Sequence, residues 1–540
     1  MSVCNLAKTI YNWFNSWIFN VKEQQHQIES SLFISLSVPI LLACLLLWAF
    51  KNSKPKVRLP PGPLGLPIVG YLPFIRHNMH QLFMQLAQKY GPIYKLSIGQ
   101  KLCVVVSSQT LIREIVRQND ITFANRIPSV AAKTFSYGGN DIAFAPYGPE
   151  WRVLRKIFVR EMQSNANLES FYPLRRNKVR KSVKDLFEKK SGKAINFGEL
   201  IFLTIINMMS GMFWGATLDG EEEISVGAKF RSATAELVQI LGKPNVSDLF
   251  PFLARFDIQG VEREMKEASQ KIEDIYDYVI DKYVMKKELT QGKEKVEVNK
   301  ERKDFMHFLL EFKDQETGRS ISRQQIKGLL MNSVIGGTDT SSRTVEWTMT
   351  ELMLHPQMLK KAQQELTKVV GANNLVEESH IQELPYLHAI VKEALRFHPV
   401  APLLLPRCPK DSCNVGGYTI PKGATVFLNA WALHKDPEFW DNPTEFEPAR
   451  FLDGKGSELD YNGNHLQYLP FGSGRRVCAG LPLAERMVMY VMATFLHMFN
   501  WELPNGEKPD TSEKFGIVHE KATPLMVIPT PRLSNLALYA

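Results

Sequence analysis

The chain has 540 residues, of which 44% are hydrophobic and 10% aromatic, and this composition supports a large buried core. It excludes a collagen-like, strongly acidic or low-complexity protein. The net charge is +9, from 65 Lys and Arg against 56 Asp and Glu. Such a balance suits nucleic acid, an anionic membrane surface or an acidic protein partner. Because the basic residues are scattered and match no nucleic-acid motif, we expect a membrane and an acidic partner, and no nucleic acid.

Cysteine usage indicates a reducing compartment. Six cysteines in a chain of this length are too few for a disulfide framework, and no two have the spacing of a zinc finger or a CxxC pair. A single cysteine in such a protein is ordinarily a small buried hydrophobe, but it can also be a reactive group or a metal ligand.

The first predicted element is a membrane anchor at residues 32–50, which form a run of 19 residues without charge. At about 1.5 Å per residue, this helix would cross a bilayer core. It is longer than the ~7–15 apolar residues of a cleaved signal peptide, and a 31-residue N-terminal extension precedes it. A basic cluster follows in the Pro-rich linker at 51–67, so the positive-inside rule places the rest of the chain in the cytoplasm.

Residues 68–540 are predicted to form one large domain that is mainly α, with small peripheral β-sheets. Helical periodicity dominates it, and the strand patterns at 101–107 and 425–429 are short. The helical patterns lie at 80–90, 109–119, 147–188, 197–213, 225–241, 259–287, 304–312, 323–355, 358–370 and 378–397.

The strongest chemical motif lies at residues 470–480, which read PFGSGRRVCAG and precede a predicted helix. Its glycines permit a tight turn before Cys478, and Gly480 permits the close approach of a flat ligand. The positive end of the helix dipole favours the thiolate of Cys478. The motif lacks the third glycine of a dinucleotide loop, the GK[ST] of a phosphate loop and the GxSxG of a hydrolase. A shielded thiolate is the ligand by which a haem iron cleaves an O–O bond.

This motif resembles the haem-binding loop of the cytochrome P-450 family, and further motifs follow in the family's order. The resemblance implies a haem-thiolate monooxygenase with haem b, in which Cys478 is the axial iron ligand. Phe471, Arg476 and Gly480 then belong to the haem-binding loop, and O2 and NADPH are co-substrates, with electrons delivered by a separate flavoprotein reductase.

The stretch 336–341, which reads GGTDTS, resembles the family's oxygen-activation segment in a long helix. Glycine and threonine are poor helix formers, so we expect a local distortion there. Thr340 is then predicted to hold a water, and Asp339 to supply protons. The alternative is a Thr340 hydroxyl bonded to its own helix.

The remaining motifs concern ion pairs and the haem carboxylates. Glu393 and Arg396 resemble the family's ExxR pair, and Arg450 its third member. We assign this triad to structure. Trp151 and Arg155 resemble a WxxxR pair that contacts one haem propionate, and Arg407 matches a second propionate ligand.

The substrate-contact segments of the family are apolar in this chain, which predicts a hydrophobic small molecule. The motif details resemble the plant branch that contains sesquiterpene (cadinene-type) hydroxylases. We therefore expect terpenoid hydroxylation, with a flavonoid or aldoxime substrate as the alternative. The remaining alternatives are a haem-thiolate isomerase or dehydratase and a non-catalytic haem-binding membrane protein. Basic residues predicted on the reductase face are Arg152, Lys156, Arg475 and Arg486.

Overall fold

The computed structural model describes residues 57–75, 78–215, 220–290, 304–313, 318, 320–514, 516 and 518–540. The predicted extension and membrane anchor, and the first part of the linker, lie outside these residues. The chain divides into two compact units, and the larger comprises residues 57–65 and 69–540. The elements below belong to that larger unit.

Long helices make up most of the larger unit. They are α1 (Met79–Tyr90), α5 (Pro149–Ile157), α7 (Tyr172–Lys190), α8 (Phe197–Trp214), α9 (Gly220–Leu241), α11 (Val261–Thr290), α13 (Arg323–Leu354), α14 (Pro356–Val370), α15 (Pro385–Phe397) and α17 (Leu481–Met498). Shorter helices connect them: α2 (Gln109–Arg113), α3 (Asp120–Phe123), α4 (Val130–Phe135), α6 (Asn165–Ser170), α10 (Val246–Leu249), α12 (Phe305–Glu311) and α16 (Ala430–His434).

The strands form small sheets. In the first, β1 (Ile93–Ile98) pairs antiparallel with β2 (Lys101–Val106), which pairs parallel with β6 (Thr425–Leu428). In the second, β10 (Met526–Pro531) lies between β3 (Ile195–Asn196) and β7 (Phe499–Glu502). Two-stranded pairs are formed by β4 (Cys413–Val415) with β5 (Tyr418–Ile420), and by β8 (Glu513–Lys514) with β9 (Glu520–Lys521). The predicted mainly helical fold with small sheets is confirmed.

Helix α13 runs through the centre of the core. Its 32 residues span about 48 Å, and it packs along α8 on one side and against α15 and α17 on others. Ser322 begins it with a capping box, in which the Ser322 hydroxyl accepts from the Gln325 amide and the Gln325 side chain accepts from the Ser322 amide. A buried helix of this length provides a rigid wall for a cavity.

Two predicted helices are divided in the structure. The pattern at 147–188 contains α5, a π-helical turn at Phe158–Met162, then α6 and α7. The hydroxyl of Ser164 accepts a hydrogen bond from the Asn167 amide and so caps the N-terminus of α6 as a separate helix. The pattern at 378–397 is divided by Pro385, which lacks an amide hydrogen and begins α15.

Among the described residues, one helix has the length and apolarity to cross a membrane. It is α8, and 72% of its apolar window is buried inside the protein. That burial is typical of a core helix.

Candidate active site

The loop before α17 holds Cys478 in a tight turn. Gly472 and Gly474 have φ of +73° and +66°, in the left-handed region that favours glycine. A Cβ on Gly474 would come within 2.6 Å of the Asp120 carboxylate, so close packing also requires this glycine. The Cys478 amide donates to the carbonyl of Phe471 at 2.9 Å. The loop therefore closes on itself around the sulfur atom.

Cys478 differs from the other described cysteines in that its side chain is exposed to a cavity. Cys103 and Cys408 are buried, and Cys413 is half-buried at the rim of a strand. Burial within the protein raises the pKa of Cys478, whereas the amides of Gly480 and Leu481 and the charge of Arg155 act to lower it. These two amides belong to the start of α17, so the helix terminus stabilises a thiolate at this position.

The cavity has a volume of about 320 Å³ and lies between α13 and the Cys478 loop. Of the residues predicted from the sequence, it is lined by Arg155, Thr340, Arg407, Phe471, Arg476, Cys478 and Gly480. The structure therefore brings together side chains that are far apart in the chain. Trp151 and Asp339 are not among the lining residues.

Four arginines reach the cavity: Arg126, Arg155, Arg407 and Arg476. Their nearest hydrogen-bond acceptors are mostly backbone carbonyls, such as Val477 for Arg155 and Ser473 for Arg407, both at 2.6 Å. Burial, together with the positive charge of Arg407, lowers the pKa of Arg476 to about 9. Burial and the same neighbouring charges lower the pKa of Arg126. Positive charge is therefore concentrated and incompletely neutralised on this side of the cavity.

The residues present fit a haem. Asp120 and Asp141 are the carboxylates that act on these arginines, which leaves cationic charge for a further dianion. The Nε of Arg126 is buried without a hydrogen-bond partner, as expected for a donor kept for a ligand carboxylate. Next to Cys478, a Cβ built on Gly480 or Gly336 meets nothing within 4 Å, so both glycines leave room for a flat ring. A thiolate, two open glycine surfaces and an arginine cluster match the iron, the ring and the propionates of haem.

Trp151 does not line the cavity, but it contacts two of the cavity arginines. Its indole N–H donates to the Ile142 carbonyl at 2.9 Å, and its ring lies 4.3 Å from the guanidinium of Arg476 and 5.5 Å from that of Arg155. The ring thus orients two cavity arginines through cation–π contacts. Its predicted direct contact with a haem carboxylate is not seen in this arrangement and stays a prediction.

Thr340 lines the cavity on α13, whereas Asp339 lies behind it. The Thr340 hydroxyl donates to the Gly336 carbonyl one turn earlier, and α13 continues without interruption through this region. The helix is therefore not interrupted at 336–341, and the hydroxyl of Thr340 makes the bond to its own helix that was the alternative; the expected local distortion stays a prediction. The Asp339 carboxylate lies 3.4 Å from the Arg343 guanidinium, which also pairs with Glu520 at 2.6 Å. Burial raises the pKa of Asp339, with Arg343 acting in the opposite direction.

Glu393, Arg396 and Arg450 meet in the protein interior. Both Glu393 oxygens accept from Arg396, at 2.7 and 2.8 Å, and one also accepts from Arg450 at 3.0 Å. Arg396 additionally donates to the carbonyls of His434, Pro443 and Glu445. The triad thus fastens α15 to the segment that leads to the Cys478 loop, as a structural role requires.

Sequence reasoning missed three polar residues of the site. Arg126 follows an apolar stretch, and a cation in that position was the sequence feature that could have indicated a role in binding a ligand. Asp120 accepts from the Arg475 amide and lies 3.4 Å from Arg407, so it positions both the loop and a cavity arginine. Asn332 on α13 contacts Asp141 in the loop before α5. No local pattern indicates the last two, because their partners lie hundreds of residues away.

Comparison with known proteins identifies the family. A cytochrome P-450 family profile matches residues 60–527. The flavonoid 3',5'-hydroxylase of Solanum melongena is 38% identical over 88% of this chain and 91% of its own length. The flavonoid 3'-monooxygenase of Petunia hybrida is 36% identical over 95% of this chain and 99% of its own length.

A solved zebrafish cytochrome P-450 in complex with progesterone has the same fold, with a TM-score of 0.67 and 27% identity. It covers 84% of this chain and 99% of its own. These two plant relatives are flavonoid hydroxylases, so the expected likeness to sesquiterpene hydroxylases is not supported. These relatives also argue against a non-catalytic haem protein. The chain belongs to the cytochrome P-450 family, and it is a monooxygenase.

Proposed function

We propose that this enzyme hydroxylates a flavonoid or a similar flat phenolic compound. The observation that carries the proposal is the likeness to flavonoid hydroxylases along nearly the whole chain. It replaces terpenoid hydroxylation as the leading interpretation and retains the alternative that the sequence left open.

The walls of the cavity suit a planar aromatic substrate. Phe135 and Phe144 line it, and their rings form an edge-to-face pair with centroids 5.5 Å apart. Gly336 also lines the cavity, and a Cβ built on it meets nothing within 4 Å, so it exposes the backbone of α13 there. Aromatic side chains and a side-chain-free helix surface leave a slot for a ring system. Ser333 adds a hydroxyl that can meet a phenolic oxygen.

When bound, the haem supplies activation of O2 and insertion of one oxygen atom into a C–H bond. The chain's own residues position the substrate and move protons. The Thr340 hydroxyl lies in the cavity, where it can hold a water and pass on a proton. Burial raises the pKa of Asp339, which favours proton uptake by its carboxylate relative to that of an exposed aspartate. Arg343 and Glu520 connect it to the partly exposed edge of β9.

Electrons are proposed to come from NADPH through a separate flavoprotein reductase with an acidic docking surface. Arg152 and Arg475 are exposed, and Lys156 and Arg486 are half-exposed. Arg152 and Lys156 share α5 with the cavity residue Arg155, and Arg475 belongs to the Cys478 loop. A partner bound there would be close to the thiolate side of the site. Arg152→Glu should raise the KM for reductase without changing haem content, whereas Lys190→Glu on α7 should leave it unchanged.

The proposed location is the endoplasmic reticulum membrane, with a single anchor at residues 32–50 and the catalytic domain in the cytoplasm. The charge distribution around the apolar run supports this topology. Protease protection of the C-terminus in sealed microsomes would contradict it.

The substrate proposal is tested by giving the reductase-supplied enzyme a panel of flavanones, flavones and sesquiterpenes. Flavonoids should perturb the haem spectrum on binding and yield products one oxygen heavier by mass spectrometry. Phe144→Leu should weaken flavonoid binding, because it removes an aromatic wall. Phe187→Leu is the matched control, since Phe187 stacks on Tyr539 away from the cavity. Turnover of sesquiterpenes without binding or turnover of any flavonoid would contradict the proposal.

A further inference from the structure

Two imidazoles and a carboxylate form a cluster outside the haem cavity. His80 lies on α1, Glu513 on β8, and His519 directly before β9. The ligand atoms of the three side chains lie within 4.8 Å of one another. Both histidine side chains are completely buried, and that of Glu513 is 11% exposed. The cluster therefore joins an early helix to the hairpin near the C-terminus, with one edge towards solvent.

The two distances from the histidines to Glu513 match those between ligands of a metal ion. The Nε2 of His80 lies 3.3 Å, and that of His519 3.4 Å, from the same oxygen of Glu513. Ligands at 2.0–2.1 Å from a tetrahedral zinc ion are separated by about 3.3–3.4 Å. The Nε2 of His519 lacks the alignment of a hydrogen bond to this oxygen, although it is fully buried. An ion between the three atoms would satisfy this nitrogen.

Neighbouring side chains hold the ligands in place. The ring of Trp431 lies 4.4 Å from that of His80, and the ring of Trp347 lies 5.6 Å from that of His519. The Gln81 amide donates to the ligating oxygen of Glu513 at 2.9 Å. Such outer contacts fix the orientation of metal ligands.

We propose that His80, Glu513 and His519 bind a zinc ion, with a water molecule at the fourth position. The site would tie α1 to the hairpin of β8 and β9. His519 donates from its backbone amide to the Val400 carbonyl at 2.8 Å, and both Val400 and Val518 line the cavity. Zinc would therefore stabilise the substrate-side wall of the cavity without entering the haem chemistry.

The experiment measures zinc and iron together in the haem-loaded, full-length protein. The protein is purified without a polyhistidine tag, incubated with zinc sulfate, desalted and analysed by plasma mass spectrometry. The parent should retain about one zinc ion per haem iron, and its melting temperature should rise with zinc. His80→Gln and His519→Gln should each reduce retention at least about tenfold. His307→Gln is the matched control, because His307 contacts a single carboxylate, that of Asp304, at 2.8 Å.

A parent protein that retains no zinc would overturn the proposal, and so would equal retention by the two cluster variants. If the variants do not yield haem-loaded protein, the zinc X-ray absorption spectrum of the parent decides the matter. Two imidazoles and one carboxylate in the first shell would support the site, and any other ligand set would refute it.

Discussion

Asn332 on the central helix donates its side-chain amide to the carboxylate of Asp141 at 3.2 Å, while its carbonyl oxygen accepts from the amides of Ile142 and Ala143 at 2.9 and 3.0 Å. The carbonyl of Ile142 in turn accepts from Arg476, one of the cavity arginines. One buried side chain thus connects the helix that carries Thr340 with the loop that positions the arginines.

Asn332→Ala should therefore loosen this loop. It removes one donor to Asp141, which keeps those of Phe144 and Ala145. It leaves the amides of Ile142 and Ala143 without their acceptor, at a cost of about 1–3 kcal/mol for each amide that water does not reach. We expect a lower melting temperature and faster haem loss, measured by thermal unfolding and haem transfer to apomyoglobin. Thr348→Val is the control, because the Thr348 hydroxyl bonds to the Thr344 carbonyl within the same helix and Thr348 does not line the cavity. Equal behaviour of the two variants would show that the contact with Asp141 does not hold the loop.

Thr340→Ala should separate electron consumption from product formation. Haem binding and substrate affinity should persist, but a misplaced proton donor commonly costs 10²–10⁴-fold in its step. Product per NADPH should fall, and hydrogen peroxide should appear instead. Asp339→Asn should slow NADPH consumption and product formation together, because it restricts proton supply. If Thr340→Ala forms as much product per NADPH as the parent, the Thr340 hydroxyl serves only to bond the Gly336 carbonyl.

Arg396→Leu should prevent accumulation of haem-loaded protein. It leaves the buried carboxylate of Glu393 with Arg450 as its remaining ion-pair partner, and breaking a buried pair costs about 3–5 kcal/mol. Arg323→Leu removes a half-exposed arginine that pairs with Asp277 and Asp281, and it should cost about 1 kcal/mol or less. Haem content per protein after expression measures the contrast. Similar yields from both variants would contradict a structural role for the triad.

His434 should make stability depend on pH. Burial lowers its pKa to about 3, and its Nε2 accepts from the Leu469 amide at 2.9 Å. In the unfolded chain the imidazole binds a proton below about pH 6.5, whereas in the folded protein it does not. Its contribution to stability is therefore complete above pH 6.5 and is lost as the pH falls towards 3.

Between pH 6.5 and pH 5 this single group should account for about 2 kcal/mol. The glutamine of His434→Gln can accept the same hydrogen bond but does not titrate. Unfolding free energies at both pH values should show a smaller loss for the variant than for the parent. An equal loss would mean that His434 is not the titrating group.

Local chemistry explains which features the sequence predicts. The Cys478 loop, α13 and the pair Glu393–Arg396 are recognisable because their residues are close together in the chain. The substrate itself is not predicted reliably, because the substrate segments are apolar and apolarity does not separate a terpene from a flavonoid.

The features missed depend on tertiary contacts. Asp120 meets Arg407, and His80 meets Glu513 and His519, only after distant segments fold together. The division of the long pattern at 147–188 depends on the cap formed by Ser164, which hydrophobic periodicity does not reveal. Likewise, Arg126 is defined as a site residue by the other arginines around it.

The assignment of Cys478 as the haem ligand is the central claim, and the ferrous carbon monoxide spectrum tests it most directly. The parent should show the red-shifted Soret band that thiolate ligation produces. Cys478→His should retain haem but lose that band, because a neutral nitrogen donates less electron density. A control substitution at the buried Cys408 should leave the band in place. An unchanged red-shifted band in Cys478→His would contradict the account.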